Sequence, residues 1–139
     1  MLCASLQILV AYVGLTLVAA EKSPFSGTWA GKMNGLPGVD VTIEGSSGEI
    51  SGEIVFYFQM RGDEKEKWRV QDKSAVRIIR PRVLGKIFTL EAIHHKTHGS
   101  SERGPNAKFR MEITGEDEAM LYRVDPDPGP PLKLTRRRR

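Results

Sequence analysis

The chain has 139 residues, 40% of them hydrophobic and 27% charged, which is enough for one domain with a core of its own. A single cysteine, Cys3, rules out a disulfide framework. Arg136 to Arg139 account for the whole net charge of +4, so the remainder is neutral and offers no basic face for nucleic acid.

Residues 1–20 carry no charged side chain, are mostly apolar from Leu6 to Val18, and end in the small residues Val18-Ala19-Ala20. This predicts a secretory signal peptide, cleaved before Glu21, and hence a secreted or periplasmic protein with no membrane span after cleavage. An uncleaved anchor is the alternative, because the stretch is just long enough to span a bilayer. Cys3 lies outside any lipobox-like context and leaves with the signal peptide. Residues 21–135 are then expected to form a single β-barrel domain held by packing and sheet hydrogen bonds. Residues 136–139 are expected to be a basic tail. That tail is either a frayed, solvated terminus or a contact for an acidic partner, anionic lipid or nucleic acid, and the absence of basic-aromatic interleaving elsewhere favours the solvated end.

No segment of the mature chain has a helical period. Val39, Val41 and Ile43 alternate with Asp40, Thr42 and Glu44, and Phe109, Met111 and Ile113 alternate with Lys108, Arg110 and Glu112. These are half-buried strands. Eight strands are predicted, at 26–33, 38–44, 49–60, 67–79, 86–95, 107–114, 118–124 and 130–135. A bulge is expected near Asp72-Lys73-Ser74 in the fourth, and Pro130-Pro131 open the last at a position where proline is tolerated.

The connections alternate in character. Residues 45–48, 81–85 and 115–117 are short turns, whereas 34–37, 61–66, 96–106 and 125–129 are longer or more irregular. In an up-and-down antiparallel sheet each set falls at its own end. One end is therefore expected to be closed by tight turns and the other to carry the loops that could bind something. Eight antiparallel strands in so short a chain predict an all-β, closed, up-and-down barrel, which leaves no exposed edge.

The segment Phe25-Ser26-Gly27-Thr28-Trp29, followed by a hairpin running into Gly48-Glu49-Ile50-Ser51-Gly52, resembles the start of the lipocalin and avidin families, the calycin-type small secreted barrels, here of bacterial type. The resemblance covers residues 25–60 and the strand count. It implies that Trp29 plugs the closed end and that an arginine late in the barrel packs over it, a role for which Arg123 is the candidate. Trp29 and Trp68 are the only tryptophans, so the tryptophan set of a biotin site is missing, and the chain is shorter than a typical lipocalin and shows no C-terminal helix.

His94, His95 and His98 are the only histidines, with Glu102 nearby. His94, His98 and Glu102 are weak candidates for a metal site, but HHxxH is no established ligand spacing on a strand, so no metal and no cofactor are expected. Ser100 and Ser101 near His98 do not make a triad, and no nucleophile elbow or phosphate loop is present, so no catalytic residue is assigned. Arg61-Gly62-Asp63 spells an adhesion tripeptide that arises often by chance. Residues 99–106 are either a lid or a plain connection.

The expected function is a non-enzymatic barrel that binds a small, partly apolar molecule at its loop end. Phe56, Phe58, Phe109 and Met111 would line the site, while Tyr57, Tyr122, His95, His98 and Arg103 would orient a polar group. The alternative is a filled barrel acting as a protein-interaction module. The third reading is a metal-assisted hydrolase at His94, His95 and His98. No nucleic-acid partner is expected, and fold alone does not choose among these.

Overall fold

A computed structural model describes residues 22–46, 48–93, 106–124 and 129–138. The described residues are all-β. Eight strands, β1 (Gly27–Met33), β2 (Leu36–Ser46), β3 (Glu49–Met60), β4 (Arg69–Leu84), β5 (Ile87–Ala92), β6 (Ala107–Gly115), β7 (Glu118–Arg123) and β8 (Leu132–Arg136), close into a barrel in sequence order. Every neighbouring pair is antiparallel, including β1 with β8, where Gly31 faces Leu134 and Trp29 faces Arg136. No helix among the described residues is long and apolar enough to cross a membrane.

The two-residue period of the strands sorts the side chains into two sets. Val39, Val41 and Ile43, then Ile54, Val76 and Ile78, then Phe88, Leu90 and Ala92 point inward, joined by Met111, Ala119, Leu121 and Leu134. Their neighbours Thr42, Glu53, Arg77, Thr89, Arg110 and Lys133 form a polar outer wall. Trp29, Phe25, Phe88, Ile54 and Met111 have no accessible surface at all. No water-sized space touches them, so this half of the barrel is filled by its own side chains. Each such side chain contributes about 1.5–3 kcal/mol by leaving water.

Two strands depart from the sequence expectation, each for a local reason. The fourth strand runs on to Leu84 instead of ending at residue 79. It passes Pro81 by a bulge in which Arg80 and Pro81 together oppose Leu90, between the pairs Ile79–Glu91 and Arg82–Thr89. Proline has no N–H to give a ladder, and a bulge is one of the few interior places where none is needed. Arg80 takes a left-handed backbone there (φ 48°). The expected bulge near Asp72 is present as well, with Gln71 as the extra residue between the pairs Phe58–Asp72 and Gln59–Val70.

The second departure concerns residues 34–37, which were expected to form an irregular loop. They are a tight hairpin instead: Asn34 and Gly35 both have positive φ (53° and 74°), and Leu36 and Pro37 already belong to β2. Asparagine-glycine with both residues left-handed is the turn whose twist matches a β-ribbon. Gln59 fixes it from β3, donating to the carbonyls of Met33 and Pro37 (2.9 and 3.0 Å) and accepting from Asn34 (3.0 Å).

Candidate functional site

The two ends of the barrel are built differently. At the end with Trp29, the chain before β1 folds across the opening. Ser26 N–H donates to the Ser23 carbonyl (3.0 Å), and Phe25 is thereby set against Phe88, with ring centroids 5.4 Å apart. The indole N–H of Trp29 donates to the Phe25 carbonyl (2.9 Å), so the buried ring leaves no polar atom unmet. The guanidinium of Arg136 lies 4.4 Å from the centre of the Trp29 ring and donates to the Pro24 carbonyl (2.6 Å). Its buried Nε, which has no hydrogen-bond partner among the described residues, lies 3.9 Å from Asp117. Trp29, Arg136 and the 22–26 segment together form a plug.

This arrangement corrects two expectations. The arginine over Trp29 is Arg136 of β8, not Arg123. Arg123 is exposed and pairs with Phe109 toward the other end of the barrel. Nor do residues 136–138 behave as a loose tail. Successive residues of an extended chain face opposite ways. Arg136 turns inward onto Trp29, and Arg137 turns outward to both carboxylate oxygens of Asp40 (3.1 and 3.2 Å), while its N–H donates to the Thr28 carbonyl (2.8 Å). Arg138 reaches Asp117 with Nε and Nη2 (3.1 and 2.8 Å), and that carboxylate holds the guanidinium above its ordinary pKa. The sequence signal was available, because positions 132, 134 and 136 share one face of the strand.

Asp40 is 8% exposed although it lies on the outer wall, because Arg137 and Tyr57 cover it. The Tyr57 hydroxyl donates to Asp40 (2.8 Å). That hydrogen bond, helped by burial and by the Asp40 charge, raises the phenol pKa above its ordinary value. Tyr57 therefore ties β3 to Asp40 of β2 on the outer wall. Tyr122 also sits on the outer wall, under the guanidinium of Arg110 (4.6 Å), because Leu121 beside it takes the inward position opposite Met111. The expectation that Tyr122 would face the interior is corrected by this parity.

At the loop end, Phe56 and Phe109 form a half-buried pair with centroids 5.9 Å apart, packed against the core below. Phe58, next on the same face of β3, is 52% exposed. Met111 lies under this layer with no accessible surface, so it belongs to the packed floor and not to a surface that a ligand could touch. Of six large hydrophobic residues exposed among the described residues, five sit at this end: Met33, Phe58, Met60, Val70 and Val124. The sixth, Leu84, is at the opposite turn.

The loop between β3 and β4 is organised by its own side chains. Asp63 accepts from the N–H groups of Lys65 and Glu66 (2.7 and 3.0 Å), and Glu66 accepts from Gly62 N–H (2.9 Å). Arg61 lies over the half-buried Trp68, 4.5 Å from its centre. Both charged members of the Arg-Gly-Asp triplet are thus engaged within their own turn.

His94, His95, His98, Glu102 and Arg103 lie outside the described residues, as do Ser100 and Ser101. Among the described residues no group of histidine, cysteine, aspartate or glutamate side chains could hold a metal ion. Comparison with protein-family models, with curated proteins and with solved structures returned no match.

Proposed function

We propose that this protein is an exported, non-enzymatic binding barrel of lipocalin-like type, and that it takes a small, partly apolar molecule at its loop end. The observation that carries the reading is the contrast between the two ends. One is plugged by Trp29, Arg136 and Phe25. The other leaves Phe58, Met33, Met60, Val70 and Val124 exposed near strand ends, with the Phe56–Phe109 pair half-buried on the same end. Exposed apolar surface concentrated at one place marks a contact site. The packed floor at Met111 and Ile54 makes the site a shallow seat at the mouth, not a deep chamber. The lipocalin resemblance draws support from the arginine over the first-strand tryptophan, and the export reading rests on residues 1–20. A second reading, a protein partner docked on the same rim, is favoured by the same filled floor.

The two tryptophans make the test direct. Trp68 is beside the loop end and Trp29 is sealed at the other. Residues 21–139, purified after export, are compared in native and denatured mass spectra, and then titrated with a naphthalene-sulfonate dye while tryptophan emission is followed. A carried small mass, or saturable quenching that disappears in Trp68→Phe and in Phe58→Asp, supports the small-molecule seat. A bare mass and no quenching, together with capture of a folded partner that Phe58→Asp abolishes, moves the assignment to the interaction module.

A further inference from the structure

The inner face of β4 changes character as it approaches the loop end. Ile78 and Val76 are buried in the core, whereas Ser74 and Asp72, the next two residues on the same face, are polar. Their partners on β3 keep the apolar pattern: Ile54 faces Val76, Phe56 faces Ser74, and Phe58 faces Asp72. The two-residue period reserves this face for packing, yet here it carries a carboxylate beside a half-exposed phenylalanine. The bulge at Gln71 lies immediately beyond Asp72 and bends the strand there.

The charge of Asp72 is unmet. Its Oδ1 accepts the backbone N–H of Lys73 (2.7 Å), which orients the carboxylate and leaves Oδ2 with no hydrogen-bond donor among the described residues. No cation among the described residues forms an ion pair with it. Arg123, a cation at the same end opposite Phe109, has a partner of its own. Arg69 stands farther out, opposite Met60 and beyond the bulge. Within the aromatic patch, the charge left to attract a ligand is therefore negative. Directly opposed residues on neighbouring strands have Cβ atoms about 5 Å apart. A cation seated over the Phe58 ring, within about 6 Å of its centre, is thus also within reach of Asp72. The half-buried Ser74 adds a hydroxyl acceptor one row deeper, and the Phe56–Phe109 pair supplies apolar surface beside it.

We propose that the loop-end seat selects an amphiphilic amine, its ammonium held between Asp72 and the Phe58 ring and its apolar body against Phe56 and Phe109. The assignment rests on the small-molecule reading of that end and adds the charge of the ligand to it. An ammonium is favoured by both groups at once: the carboxylate attracts it by charge, and the ring face by its quadrupole. An anionic head group is repelled by the first and gains nothing from the second.

The test is a backbone amide chemical-shift titration of the folded protein with octylammonium, octanol and octanoate, which share one chain and differ in head-group charge. Octylammonium is expected to move the amides of Phe58, Asp72 and Lys73 saturably and to bind at least tenfold more tightly than octanol, with octanoate weakest. Asp72→Asn keeps the shape and removes the charge. It should bring octylammonium down to the affinity of octanol, leave octanol unchanged, and unfold at the parent's midpoint, because the Asp72 side chain bonds only to the neighbouring N–H. Glu64→Gln, which removes an exposed charge from the adjoining loop, should alter neither affinity. The proposal is overturned, with the seat intact, if octanol and octylammonium bind alike, if Asp72→Asn keeps the preference, or if Glu64→Gln removes as much of it. If none of the three compounds binds, the seat itself fails and the proposal falls with it.

Discussion

Replacing Arg136 by alanine tests the plug at the Trp29 end. The guanidinium stacks on a ring with no exposed surface, and the arginine side chain itself is only 28% exposed, so the cation–π contact is worth about 1–2 kcal/mol. The hydrogen bond to the Pro24 carbonyl has a charged donor and contributes about 1.5–3 kcal/mol. The 3.9 Å approach to Asp117 adds less than about 1 kcal/mol. These contributions overlap, and the expected loss is about 3 kcal/mol, from a total that for such a domain is about 5–15 kcal/mol. With a urea slope of about 1.5–2 kcal/mol/M, the unfolding midpoint should fall by about 1.5–2 M. Arg136→Lys keeps the charge but loses the planar stack, and should fall between the two. Arg123→Ala, made in parallel, should cost less than about 1 kcal/mol. Urea unfolding followed by Trp29 emission decides the matter. If Arg136→Ala and Arg123→Ala unfold at the same midpoint, the plug contributes nothing and the reasoning is wrong.

Three further outcomes are expected. The Tyr57 phenol has a raised pKa, so its protonated form is favoured by folding. The stability it contributes is complete below the unfolded value near 10 and is lost as pH rises through the higher folded value. Stability measured above pH 10 should therefore fall in the parent and fall less steeply in Tyr57→Phe. At Gly52 a Cβ would come within 2.2 Å of the Thr42 carbonyl oxygen, whereas at Gly48 it meets nothing within 4 Å. Gly52→Ala should cost at least about 1–3 kcal/mol and Gly48→Ala close to none, read as thermal midpoints. At the mouth, Phe58→Ala should weaken an apolar probe about tenfold while leaving the unfolding midpoint within a few tenths of a molar of urea, because Phe58 is half exposed.

The barrel was legible because strand parity is a local property. Val39-Val41-Ile43 and Phe109-Met111-Ile113 each state which face is inside, and the boundaries of β3 at Glu49 and Met60 match the expected 49–60. What escaped were the places where parity depends on a partner strand. Tyr122 looks like a core aromatic until Leu121 is seen paired with Met111. Pro81 reads as a strand end until the bulge shows where its missing N–H falls. Arg136 is hidden in a run of four identical residues, and composition alone treats such a run as one charge cluster. In the sheet the run is three separate contacts, with Trp29, Asp40 and Asp117. The loop end was half legible: Phe56, Phe58 and Phe109 could be assigned to it from strand parity, whereas the exposure of Met33, Met60 and Val70 at the same strand ends could not be read from the chain alone.

The contact between Arg136 and Pro24 joins positions 112 residues apart. Hairpins such as β2–β3 can form as soon as their own residues are available, but the cylinder cannot shut until everything between those two positions has emerged from wherever the chain is being made or threaded. Closure is thus a late, all-or-nothing step with a large loop to overcome.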